Sequence, residues 1–209
     1  LLCAYDATFN ISYLQQAIEY TDKMLLDFWD DIGEGFFLTS SESEELIYRP
    51  KEVYDGAIPS GNSVAGYVLQ KIAHITANPK YKEYAHKQLR FLAGQVKDYP
   101  AGYCFSQLVF LKALYPSKEI VCIVSNKDDN TTTAKTVKRN PQENPEFEDL
   151  RNYMASNYNP NMIVLVRTEE NREELHNIAE YVMDYRITND KTTYYICENH
   201  RCQAPVNEL

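Results

Sequence analysis

The apolar periodicity of the first 115 residues changes character from one segment to the next, and that alternation limits the folds open to the chain. From Ser12 to Trp29, Leu14, Ala17, Ile18, Thr21, Leu25 and Phe28 recur at helical spacing, with Glu19, Lys23 and Asp27 on the other side. Residues 61–77 differ: Val64, Ala65, Val68, Leu69, Ile72, Ala73 and Ile75 spread over most of a helical circumference, which implies burial on several sides. Residues 80–98 return to one stripe (Tyr81, Ala85, Leu89, Leu92, Val96), with Lys82, Glu83, Lys87 and Arg90 toward water. Residues 102–114 are again apolar almost all round, through Tyr103, Cys104, Phe105, Leu108, Val109, Leu111 and Leu114. Two layers of antiparallel helices, the outer amphipathic and the inner enclosed, produce such a pattern. A layered α/α toroid, a large bundle or a solenoid all satisfy it.

The character changes at Pro116. Glu119–Val124 is a short β-branched apolar run that reads as a buried strand, and residues 125–144 are polar and read as a loop. A helix over 146–157, a strand Met162–Val166, a helix over 171–182 and a strand Thr193–Cys197 follow. Strands alternating with helices predict a small parallel β-α-β-α-β domain over 117–209, after a helical domain over 1–116. No glycine-rich phosphate loop follows the early strands, so a dinucleotide fold is not supported. Residues 1–8 read as the end of a helix, and Gly35–Thr39 with Glu45–Tyr48 as a short hairpin.

That hairpin leads into residues 49–63, where two cations, two carboxylates and a tyrosine crowd a loop ending at a helix start. Asp55-Gly56 is a turn signal, Pro59 disfavours helix at Ile58, and Ser60 is placed to cap the helix that begins beyond it. Glu52 and Asp55 are the candidate catalytic acid and base, ~10 Å apart at Cα if extended and closer across a turn. Arg49, Lys51, Tyr54, Ser60 and Asn62 are the candidate substrate-binding residues: the cations to orient an anionic group, Tyr54 to stack on a ring, Asn62 to hydrogen-bond. The competing reading is that Arg49, Glu52 and Asp55 form a bonded network that holds the loop onto helix 61–77.

The run Arg49-Pro-Lys-Glu-x-Tyr-Asp-Gly-Ala-x-Pro-Ser-Gly-Asn-Ser63 and the run Cys197-Glu-Asn-His-Arg-Cys-Gln-Ala-Pro205 resemble the signatures of the spermatogenesis-associated, thioredoxin-domain-containing (YyaL-like) family. The resemblance implies the C-terminal part of a longer protein, in which a thioredoxin-like domain precedes a helical toroid of the six-hairpin glycosidase and sugar-epimerase type. The expected fold is therefore mainly α with a small α/β unit: a partial (α/α) toroid followed by the parallel domain. About two and a half hairpins are present, too few to close a ring, so an open arc is expected that self-associates through its exposed apolar edge. On this view the loop lines a central cavity and takes a small carbohydrate. The alternative is a non-enzymatic scaffold or client-binding module serving the thioredoxin-like domain, redox-linked through Cys197 and Cys202.

Charge and cysteine usage narrow the partners. A net charge of −9 provides no basic stripe for nucleic acid, and no apolar run approaches a membrane span. Five cysteines without regular spacing suit a reducing, cytoplasmic setting. Cys197 and Cys202, four residues between them with His200 inside, match neither a zinc knuckle nor a C-x-x-C pair. Two packed thiols around a turn is the simplest reading, with a disulfide geometrically open and a metal requiring further ligands. Cys3, Cys104 and Cys122 read as core. No cofactor motif is present.

Overall fold

In the computed structural model, residues 1–44, 47–125, 146–198 and 201–209 are described. Almost all of the polar loop 125–144, the strand residues Glu45 and Leu46, and His200 lie outside them. The elements are α1 (Leu2–Thr8), α2 (Ile11–Phe28), α3 (Gly61–Thr76), α4 (Pro79–Val96), α5 (Cys104–Leu114), β1 (Lys118–Ile123), α6 (Glu146–Ser156), β2 (Met162–Arg167), α7 (Arg172–Ile178), β3 (Thr193–Glu198) and β4 (Arg201–Cys202). The result is a mainly helical chain with a small mixed sheet. It divides into two compact units, one of residues 1–17 with 116–209 and one of residues 18–115. The division falls inside α2, so α1 groups with the sheet.

In the sheet unit the strand order is β2-β1-β3-β4. β1 pairs with β2 in parallel, Lys118 opposite Met162, and with β3 antiparallel, Lys118 opposite Glu198. The expected all-parallel unit is therefore corrected to a mixed sheet. The reason lies in the connection between β2 and β3. The helix read over 171–182 ends at Ile178 and gives way to a 3-10 turn at Glu180–Asp184. No single helix long enough to run the ~20 Å of a six-residue strand forms there, and the chain stays at the end of the sheet where β2 stops. It turns back at the same end and enters β3 opposite Ile123. One face of the sheet packs Ile120, Cys122, Val164, Val166 and Tyr194 against Phe9, Phe147 and Leu150. Tyr5, fully buried, accepts a hydrogen bond from the Val166 amide through its hydroxyl oxygen at 3.3 Å.

In the helical unit α3 packs against both α4 and α5. Val53, Leu92 and Val109 form the centre of its core, with Tyr67, Leu89, Phe91, Tyr103 and Phe110 around them. The stripe of α4 is buried at Tyr81, Ala85, Leu92 and Val96, and Gln88 joins it with no exposed surface. Ser60 caps α3, accepting from the Ser63 amide at 3.2 Å, and Asn78 caps α4 with Pro79 behind it. α5 departs from expectation. Only Ser106, Val109 and Lys112 are buried, while Leu108, Leu111 and Leu114 stand 46–80% exposed. It is apolar on all sides but covered on one.

Among the described residues, Gly35–Thr39 forms no strand of the expected hairpin. Phe36 makes a single bridge to Trp29, and the Leu38 amide donates to Pro50 O at 2.8 Å. A side chain takes the place of a strand partner: the Phe36 amide donates to Asn62 Oδ1 at 2.8 Å, and Asn62 Nδ2 donates to Phe36 O at 2.9 Å. Gly35 makes the turn that delivers Phe36, at φ 75°, and a Cβ there would lie 2.5 Å from the Phe91 ring. Gly35→Ala is expected to cost about 2–4 kcal/mol. The readout is a lowered urea midpoint with cooperative unfolding retained.

Candidate functional site

The loop 49–63 is held by its own polar groups, and Asp55 holds most. Its Oδ1 accepts from the Ser60 amide at 2.8 Å; its Oδ2 accepts from the Phe105 and Ser106 amides at 2.8 and 3.2 Å. Phe105 and Ser106 lie in the first turn of α5, where Tyr103 supplies no side-chain cap. Asp55 thus serves as the missing cap of α5 while gripping the cap residue of α3, and its negative charge lies at two positive helix ends. Its own amide donates to Gly102 O at 3.0 Å. Desolvation alone would raise the Asp55 carboxyl, but the Ser60, Ser106 and Phe105 amides and the Ser63 hydroxyl outweigh it and hold it below the ordinary carboxylate range. Beneath it a buried hydroxyl chain links the same two helices: Ser60 Oγ to Ser63 Oγ at 2.7 Å and Ser63 Oγ to Ser106 Oγ at 2.9 Å. Ser60 is legible in the sequence as a cap, but Ser63 and Ser106 are not, since a serine inside an apolar helix carries no positional signal.

Lys51 and Arg49 are engaged in the same way. Lys51 Nζ donates to Asp30 Oδ2 at 2.6 Å and to Glu34 O, with the Phe37 and Phe91 rings each 5.0 Å away. The pair is 16% and 17% exposed at its side chains. Burial would raise the Asp30 carboxyl, but Lys51 and the Gly33 and Ile32 amides hold it down. Arg49 Nη2 donates to Thr39 O at 2.5 Å, and its guanidinium lies 4.1 Å over the Phe37 ring. Asn62, buried, also donates to Glu52 O at 2.8 Å and accepts from Gln88 Nε2 at 3.1 Å.

Of the candidate residues in the loop, Glu52 and Tyr54 point outward, as does the run 56–59 beyond them. Glu52 is exposed, and its carboxylate makes no ion pair with the described residues. Tyr54 is 55% exposed, its ring edge-on to Tyr103 at 5.8 Å. Chemically, Asp55 is an ionised group with no proton to give at neutral pH, and its acceptor sites are occupied by the protein itself.

The second set belongs to the sheet unit. Cys197 and Cys202 face each other across β3 and β4 and are joined in a disulfide, with Cys197 buried and Cys202 exposed. The Tyr185 hydroxyl lies 3.9 and 3.7 Å from the two sulfurs. The reading as two packed thiols is thereby corrected: antiparallel pairing places the side chains directly opposite, within bonding reach. Cys122 is buried as expected, but Cys3 and Cys104 are exposed, on the outer sides of their helices. The same unit carries a cleft of about 530 Å³ lined by Glu169, Glu170, Glu173, Glu174, Arg172 and His176. Among the described residues no group of His, Cys, Asp and Glu is arranged to hold a metal, and no helix is long and apolar enough to cross a membrane.

Comparison with known proteins gives a distant likeness. The chain is 24% identical over 210 residues to "Spermatogenesis-associated protein 20" of Homo sapiens, covering all of this chain and 25% of that protein. Its counterpart in Rattus norvegicus matches at the same identity, with 24% of its length covered. An uncharacterized Caenorhabditis elegans protein is 28% identical over 100 residues, 48% of this chain and 13% of its own. The chain thus spans about a quarter of the spermatogenesis-associated relatives it matches. No family model matches it.

Asp55→Asn is expected to destabilise the chain by about 2–3 kcal/mol, because charge-assisted bonds to two helix ends are lost. Glu52→Gln should stay within about 0.5 kcal/mol, as exposed substitutions do. Thermal melts at neutral pH measure both. Because the folded Asp55 carboxyl titrates below its unfolded value, its stabilisation is present above the unfolded pKa of about 3.9 and is lost as pH falls through the folded pKa. Asp55→Asn should flatten stability against pH in that acidic window.

Proposed function

We propose that the chain is a non-enzymatic scaffold or client-binding module of a longer protein, with loop 49–63 as its structural clasp. One observation carries this reading: both carboxylate oxygens of Asp55 are committed to the N-terminal ends of α3 and α5. A general acid needs a proton to give and a general base needs an open lone pair within reach of substrate. Asp55 offers neither, and Glu52 stands without a carboxylate partner to be paired against. The succession α3–α4–α5 supports reading these helices as an arc of an (α/α) toroid, with the exposed leucines of α5 as an edge for self-association.

The link to a thioredoxin-like domain rests on the Cys197–Cys202 disulfide. In a cytoplasmic, reducing setting such a bond persists only as a transient one. A thiolate of a partner dithiol attacks the exposed Cys202 Sγ, forming a mixed disulfide as Cys197 leaves as thiolate. The partner's second thiol then resolves it, so that the partner is oxidised and both cysteines are reduced. Intact-mass analysis under non-reducing conditions should show this pair oxidised, and catalytic thioredoxin with its reductase should reduce it. Persistence of the disulfide under that treatment contradicts the exchange.

The carbohydrate reading keeps one favourable observation: Tyr54 and Glu52 are exposed on the same stretch, as a ring to stack on a sugar and an acceptor for its hydroxyls. A thermal-shift screen of the full-length protein against monosaccharides and sugar phosphates separates the two readings. The scaffold reading expects no saturable shift. A saturable shift that disappears in Glu52→Gln overturns it in favour of a sugar site.

A further inference from the structure

An exposed aromatic cluster of the helical unit surrounds Gly102. Tyr54 is 55% and Tyr99 59% exposed, although rings of this size are ordinarily covered in large part. Both approach Gly102 closely: a Cβ there would lie 2.5 Å from Tyr54 Cε2 and 2.8 Å from Tyr99 Cδ1, so only glycine admits the two rings together. Tyr103, half-buried, meets Tyr54 at an interplanar angle of 75° and closes a corner. The backbone fixes the arrangement, with the Asp55 amide donating to Gly102 O at 3.0 Å and the Gly102 amide donating to Tyr99 O at 3.2 Å. The clasp that fastens α3 and α5 therefore also sets these rings.

Carboxylates neighbour them along the chain. Glu52 and Tyr54 are both exposed with buried Val53 between them, so the two side chains leave the same side of an extended segment. Asp98, exposed, precedes Tyr99; Lys97, also exposed, is the one cation adjacent to it. The whole chain carries −9. Aromatic faces with carboxylates at their rim attract an ammonium group electrostatically, while a lysine's methylene stem lies against the rings.

We propose that the Tyr54–Tyr99–Tyr103 corner, rimmed by Glu52 and Asp98, is a docking site for a lysine side chain of a basic segment on a partner protein. The inference rests on the scaffold reading and names the chemistry of the partner. Isothermal titration of the full-length protein with an acetylated hexalysine peptide, and in parallel with neutral maltohexaose, tests it. The peptide is expected to bind, more weakly at higher salt. Tyr54→Leu with Tyr99→Leu, which keeps apolar area but removes the ring faces, should weaken it about tenfold. Tyr99→Leu alone, at a position outside the clasp, should weaken it about threefold with the melting temperature unchanged. Peptide affinity equal in Tyr99→Leu and the unaltered protein marks general attraction to an acidic chain and overturns the proposal. Failure of both peptide and saccharide to bind overturns this inference and leaves the scaffold reading standing. Maltohexaose binding that is lost in Tyr99→Leu overturns both.

Discussion

The first turns of α3 and α5 each present amide N–H groups that no preceding turn can accept. A single carboxylate, that of Asp55, takes donors from both, and the buried Ser60–Ser63–Ser106 hydroxyl chain runs between the same two helices. The hydroxyls join the helices, and the carboxylate pins the loop to the join. Because Asp55 also donates its amide to Gly102, the turn between α4 and α5 is drawn into the same arrangement. The geometry of the helical unit near residues 49–63 follows from satisfying donors at two helix ends with one anion.

A second clamp works beside it. Lys51 reaches Asp30 and the Glu34 carbonyl between two aromatic rings, and Asn62 bonds both backbone groups of Phe36. Together they fasten the irregular segment after α2 to the start of α3 without a β-ladder. A polar-rich loop is thereby consumed largely in its own support. Glu52 and Tyr54, which it leaves to solvent along with the run 56–59, alternate in an extended stretch with Lys51 and Val53, which turn inward.

Most of the helices and the three longer strands were legible from periodicity and cap residues: the stripe of α4, the Ser60 cap and the apolar runs of β1 and β2 fall close to where the sequence placed them, whereas the helix over 171–182 is cut short and Gly35–Thr39 is not a strand. Strand direction was not legible, because an apolar run looks the same in parallel and antiparallel pairing, and the end of the sheet at which the chain leaves the β2–β3 connection decides it. The burial of α5 was misjudged for a related reason. Leu108, Leu111 and Leu114 show that a residue is apolar, not that anything covers it. At the site, the spacing of Glu52 and Asp55 suggested a pair, but the sequence does not tell where a carboxylate's hydrogen bonds go. Ser106 and Phe105, which decide the environment of Asp55, lie some fifty residues away in the chain. Cys197 and Cys202 were singled out by their motif, yet their bonding required the register of β3 and β4.

The clasp depends on the ionisation of Asp55. Carboxyl carbon-13 NMR, followed through an acid titration and assigned with Asp55→Asn, reads that group directly. Four donors at two helix ends should displace its midpoint well below the ordinary aspartate value of about 3.9. A midpoint at or above that value would show a carboxyl free of the two helices, and would return Asp55 to the pool of groups able to exchange a proton with a substrate.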